Sequence, residues 1–196
     1  YYAIYLLNNK NALVDGNKLS INATSVIYCI YNYYSDSSTI RNNIITKNLG
    51  TSTFYVLYDY YSNNSQIYNN EAFDNNMSYL YFIYSYYANN SRIYDNKLLN
   101  NTLNYSLYGI YGYYGSNHLI ANNQLIDNIS SGSNMYGVYL YYSANAVIKN
   151  NTLKNLVAGS SAYGIYLYGM ATQKASNALI EGNVLQNLVN NGGDYT

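Results

Sequence analysis

The chain of 196 residues balances nine Lys and Arg against nine Asp and Glu, giving a formal net charge of zero with only 9% of residues charged. Such a chain has no electrostatic footprint for nucleic acid or an anionic membrane surface, and no apolar run in it reaches the roughly 18 residues of a membrane-spanning helix. With one Cys and one His, neither an internal disulfide nor an ordinary copper or zinc site can be assembled, so no metal and no cofactor is expected.

What the chain has instead is a repeat. Units open at Tyr2, Tyr28, Tyr55, Tyr81, Tyr108, Tyr136 and Tyr163, 26 to 28 residues apart, and a period of that length marks a solenoid. A strand comes first in each unit. Two residues after the opening Tyr stands an aliphatic residue (Ile4, Ile30, Leu57, Ile83, Ile110, Val138, Ile165), and three after it a second Tyr (Tyr5, Tyr31, Tyr58, Tyr84, Tyr111, Tyr139, Tyr166). Two positions further are Tyr33, Tyr60, Tyr86, Tyr113, Tyr141 and Tyr168, and beside them Tyr34, Tyr61, Tyr87, Tyr114 and Tyr142. A polar corner follows, with Asn11, Asn64, Asn90, Asn117, Asn145 and Asn177 in one column broken by Ser37. The next strand centres on Val14, Ile40, Ile67, Ile93, Ile120, Ile148 and Ile180, provided that the last unit carries an insertion around Met170 to Lys174. A second corner holds Asn in every unit (Asn17, Asn43, Asn70, Asn96, Asn123, Asn151, Asn183), and a third short strand carries Leu19, Ile45, Ala72, Leu98, Leu125, Leu153 and Leu185.

Runs this short, without apolar recurrence at three and four, are strands. One unit cannot bury its aliphatic face alone, whereas units stacked about 4.8 Å apart build a continuous core. The expected fold is all-β: a right-handed single-stranded parallel β-helix of about seven turns, forming one domain over 1–196, with the hand that parallel crossovers favour. Asn recurring at a corner hydrogen-bonds from turn to turn and tolerates a left-handed backbone. If Val138 and its equivalents point inward, alternation turns the Tyr139 and Tyr141 columns outward as a contact surface. The column between them, which includes Asn32, Asp59, Leu140 and Leu167, then faces the core, and a bulge near it is the expected relief.

The few charges fall in pairs on successive turns: Asp15 with Arg41, Lys47 with Asp74, Glu71 with Lys97, and Lys149 with Glu181. Exposed pairs of this kind contribute less than about 1 kcal/mol each and serve register more than stability. Asp74 and Asp127 share a column, separated by the turn of Asn100 and so about 9.6 Å apart. With Lys47 adjoining, they are the best acidic couple for glycoside hydrolysis, which needs carboxyls roughly 5 to 9.5 Å apart. Cys29 stands in a column otherwise filled by Ala3, Val56, Phe82 and glycines and reads as a small packing residue, and His118 stands in a column of Ala and Ser. Sequons occur at Asn22, Asn63, Asn76, Asn89, Asn100, Asn104, Asn128 and Asn150, a set of candidate N-glycosylation sites of which chance supplies about five for this composition.

The pattern of Gly109-Ile110-Tyr111, Ile120, Asn122-Asn123 and Leu125 resembles the parallel β-helix repeats of nitrous-oxide reductase copper-site maturation proteins and of carbohydrate-binding and sugar-hydrolysing domains. It is also similar to the Asn- and Tyr-rich adhesin-like surface proteins of methanogenic archaea. The resemblance implies the fold over nearly the whole chain and leaves function open among lyases, hydrolases, adhesins and surface-layer proteins. Taken with the tyrosine columns, ends lacking a capping helix and the start at Tyr1 without Met, it supports an extracellular, non-enzymatic, self-assembling subunit of a filament, sheath, surface layer or adhesin stalk, processed or cut from a longer chain. A carbohydrate-binding or carbohydrate-cleaving β-helix is the alternative. The expected partners are further copies of the chain, joined head to tail through the open ends, side by side, or both, and glycans.

Overall fold

The computed structural model describes residues 1–169 and 177–192, so the expected insertion around Met170 to Lys174 and the end of the polar tail fall outside it. Each unit contributes three strands, the units opening at Tyr55, Tyr81 and Tyr108 add a short fourth (Asn76–Met77, Thr102–Leu103 and Ile129–Ser130), and the strands stack into three parallel sheets. The first contains Tyr2–Leu7, Ile27–Tyr33, Thr53–Tyr60, Tyr79–Tyr86, Leu107–Tyr113, Met135–Tyr141 and Ala162–Tyr168 in order of sequence. The second contains Leu13–Asp15, Thr39–Arg41, Gln66–Tyr68, Arg92–Tyr94, Leu119–Ala121, Val147–Lys149 and Leu179–Glu181. The third starts at Lys18–Leu19 and Ile44–Thr46 and ends on the longer strands Thr152–Ala158 and Val184–Asn190.

Register follows the repeat. Tyr28 pairs with Tyr2 and Tyr55, Ile110 with Ile83 and Val138, Ile120 with Ile93 and Ile148, and Leu98 with Ala72 and Leu125. The enclosed core is a stack of like on like, with Ile27, Ile30, Ile40, Ile45, Leu57, Ile67, Ile83 and Ile93 among its fully buried members.

The long strands break the simple alternation. Cys29 and Ile30 are both buried, as are Val56 and Leu57, and Phe82 and Ile83, and the pairing passes from Tyr28↔Tyr55 to Ile30↔Leu57 without the residue between. Two consecutive inward residues put the opening Tyr, the Tyr three on and the Tyr five on along one outer face. The irregularity therefore lies before the Asp59 column and gives it no relief: Asp59 remains wholly inside. Where later units have Gly137 in the stepped column, Leu153 of the third sheet fills the space, and a Cβ there would collide with it and with the Gly164 carbonyl oxygen.

The corners repeat as well. Asn43, Asn70, Asn96, Asn123 and Asn151 are buried, and from Asn17 onward each amide donates to the Oδ1 of the next ladder Asn at 2.8–3.0 Å. The same oxygen accepts the backbone N–H of the preceding ladder Asn. The ladder residues are not themselves left-handed; the residue before each one is, as at Asn42, Asn69, Asp95 and Asn122 with φ of 53–57°. The outer column, Asn64 to Asn177, forms a second ladder at 3.0–3.2 Å, and its members are left-handed, with φ of 55–58°.

Candidate functional site

The inward step creates the most distinctive surface of the molecule. Of 31 tyrosines, the seven openers, the seven at the next position and the Tyr33 and Tyr34 columns form four adjoining files along the first sheet. Rings of the opening file stack at 4.6–5.1 Å. Those from Tyr33 to Tyr168 stack at 4.9–5.0 Å. Interplanar angles in the middle of the stack are small, 0° for Tyr81 on Tyr108, 2° for Tyr60 on Tyr86 and 5° for Tyr84 on Tyr111. The Tyr34 file sits at a left-handed corner, φ 48–53° from Tyr34 to Tyr142, a conformation disfavoured for a bulky side chain. Its rings are held by stacking on each other and edge-on against the neighbouring file.

Ring faces are thus consumed by other rings, and the outer surface offers ring edges and hydroxyl groups. Burial in this packing raises the phenol of Tyr55 to about 12, with Tyr28 adding to the effect, and lifts those of Tyr58, Tyr84 and Tyr111 further in the same direction. The face is accordingly uncharged across the physiological range.

A chain whose strands all pair in parallel, in sequence order and in three stacked sheets invites a family comparison, and the model described as a right handed beta helix region matches residues 2–185. The chain belongs to this right-handed β-helix family. No curated protein matches it. Nine chains of solved structures do, among them a trypsin-treated form of QnrB1, described as a plasmid-mediated fluoroquinolone resistance protein. Identity to that structure is 10%, with 92% of this chain and 90% of that one covered at a TM-score of 0.28.

The acidic couple keeps the column that the repeat gives it, at equivalent corners two turns apart. Asp74 and Asp127 are exposed corner residues with φ of 54° and 57°, Asn100 lies on the turn between them, and Asp127 accepts a 2.6 Å hydrogen bond from Asn155. Among the described residues no group of three or more His, Cys, Asp or Glu side chains converges. Two of the four charge pairs close, Arg41 to Asp15 at 2.9 Å and Lys97 to Glu71 at 2.7 Å, and Asn42 and Arg41 together hold the Asp15 carboxyl below its ordinary value. Lys149 and Glu181 are register partners but, like Lys47 and Asp74, do not come within ion-pair distance.

The sequon asparagines divide by exposure. Asn22, Asn76, Asn100, Asn104 and Asn150 are exposed, Asn63 and Asn89 half-buried, and Asn128 fully buried with its amide donating to the Leu98 and Ile126 carbonyls. Asn128 is therefore closed to a glycan in the folded chain; it ends an internal ladder that sequence reading passed over, Asn48, Asn75, Asn101 and Asn128, linked at 2.6–2.9 Å. The available signal was an Asn five residues after each member of the first ladder from Asn43 to Asn123.

Proposed function

We propose that this β-helix is a non-enzymatic, extracellular structural protein that packs sideways against further copies of itself through its tyrosine face, as a subunit of a filament, sheath, surface layer or adhesin stalk. The observation carrying this reading is the orientation of the rings. Sugars stack on exposed aromatic faces, and here the faces are stacked on one another along nearly the whole first sheet. What remains outside is a flat, half-apolar lattice of ring edges and hydroxyls repeating every 4.6–5.1 Å. A second copy presents the same spacing, so hydroxyl can meet hydroxyl rung by rung and both faces lose their exposed carbon to the interface.

Sedimentation equilibrium and electron microscopy over a concentration series test this. Concentration-dependent association is expected, weakened at least tenfold, about 1.4 kcal/mol, when Tyr60, Tyr86 and Tyr113 are all replaced by Ser with circular dichroism unchanged. A chain that stays monomeric at high concentration while binding glycans on an array would transfer the face to the carbohydrate reading.

A further inference from the structure

Where the long strand turns toward the second sheet, the interior is polar. Successive rungs supply Asn32, Asp59 and Ser85 in one column and Ser65, Ser91 and His118 in another, each at most 2% exposed. Around the Asp59 carboxylate the hydrogen bonds close: Asn32 donates at 2.7 Å, Ser65 at 3.0 Å and Ser91 at 3.3 Å. Further along they do not. Ser85 Oγ, both ring nitrogens of His118 and Ser143 Oγ are buried without a hydrogen-bond partner in the protein.

These groups share one strip. Ser85 is the register partner of Gly112, and a Cβ on Gly112 would stand 3.5 Å from Ser143 Oγ and 3.9 Å from His118 Cδ2. A Cβ on Gly115 would collide with His118 Nε2 and with the Ala88 carbonyl oxygen. The imidazole therefore leans across Gly115, over the position that earlier rungs fill with Ser35 or Ser62, and lies beside Gly112, where a Leu140 methyl enters the space that earlier rungs give to Asn32 or Asp59. A neutral imidazole has one N–H to donate and one bare nitrogen to accept, and each Ser hydroxyl can do both. A guest that serves all of them must donate and accept within the same narrow space, which an apolar group or a cation cannot do.

We propose that this strip is a binding site for internal water, a short file that joins Ser85, His118 and Ser143 and reaches the Asp59 carboxyl through Ser85 and Ser91. Buried waters of this kind bond to about three otherwise unsatisfied groups each. The file makes Asp59 and His118, two rungs apart, members of one hydrogen-bonded network. The rungs flanking Asp59 offer it only uncharged partners, Asn32, Ser85 and Ser91, and the charge acting on it is Asp36, exposed at the same corner, which raises its carboxyl further.

The test follows the Asp59 carboxyl by carbon-detected NMR across a pH titration, in the unaltered chain and in the His118→Phe and Ser85→Ala variants. Losing the file leaves the carboxylate less solvated, so its midpoint should rise by about one pH unit in both variants. A midpoint unmoved by exchanging one uncharged ring for another means a dry corner and overturns the proposal. A high-resolution crystal structure of the unaltered chain decides independently of variant folding. Ordered solvent within hydrogen-bond distance of Ser85 Oγ and a His118 nitrogen is the expected result, and a strip closed by protein atoms alone refutes it.

Discussion

Burial sets the Asp59 carboxyl at about 7, against 3.8 for the free side chain, and lowers His118 to about 4 from 6.5. The folded chain holds the Asp59 proton more tightly than the unfolded chain, so that contribution is present at low pH and lost as pH rises from about 4 to 7. His118 works in the other direction: the unfolded chain takes up its proton first, and stability falls as pH drops from 6.5 to 4. Each effect is on the order of 3 to 4 kcal/mol. Between pH 4 and 6.5 the two oppose, because each state carries one proton, the folded on Asp59 and the unfolded on His118. Urea unfolding of the unaltered chain should therefore be nearly flat across that window. Asp59→Asn should lose stability toward acid, and His118→Gln should lose it toward neutrality. Parallel slopes in the two variants would contradict the burial of either group. At Asn96 the expectation is a large loss on substitution. Its oxygen accepts two hydrogen bonds from Asn70, and its amide serves Asn123 and the Ile67 and Tyr94 carbonyls. Asn96→Leu strands these groups away from water and should cost about 3 kcal/mol or more, whereas Asn90→Gly, on the exposed ladder where Gly accepts the left-handed backbone, should cost less than about 1 kcal/mol because water replaces the lost bond. Equal costs by urea unfolding would remove the distinction between inner and outer ladders.

At the scale of the strand and its sheet, the tyrosine files tie protonation to architecture. Phenols raised above their free value by burial hold protons that the unfolded chain releases near pH 10, so stability declines as pH climbs beyond that point. The phenols that burial raises, Tyr55, Tyr58, Tyr84 and Tyr111 among them, should release their protons together with the loss of circular dichroism, in one cooperative step above pH 10 followed by phenolate absorbance, rather than singly in an intact fold. Much of this element was legible beforehand, because a repeat writes each contact many times: the Tyr28, Ile30, Ile40, Asn43 and Ile45 columns all lie where the period puts them. Two features escaped for physical reasons. Period-two reasoning carries phase along a strand but has no term for two successive inward residues, although Ala3, Cys29, Val56 and Phe82, never polar and adjacent to the aliphatic column, were the trace of that step. The second ladder was masked because Asn48, Asn75, Asn101 and Asn128 sit among other asparagines and stop at Leu156. Ring orientation, on which the functional reading rests, depends on side-chain torsions and neighbours that no column of letters contains.

For the molecule as a whole, stacked parallel rungs imply that each unit touches only its neighbours, so stability is a sum of unit and interface terms. Removing residues 81–107, the 27 residues of one period, would bring Tyr108 against Tyr55, Ile110 against Leu57, Ile120 against Ile67 and Asn123 onto Asn70, preserving every column. The shortened chain should fold, keep its strand signature in circular dichroism and show an m-value in urea about one-seventh smaller, in proportion to the surface no longer exposed on unfolding. Removing residues 81–99 instead cuts the long strand Tyr79–Tyr86 just after its start and leaves residues 100–107 as an eight-residue insertion that fits no rung, so that chain should unfold at a lower urea concentration than the in-period one. The in-period deletion also shortens the tyrosine face by one rung of about 4.8 Å. If that face mediates lateral packing, association should weaken with the loss of the rung while folding survives. An in-period deletion that unfolds the chain as thoroughly as the out-of-period one would show that distant rungs are coupled, against the nearest-neighbour account on which both fold and assembly rest.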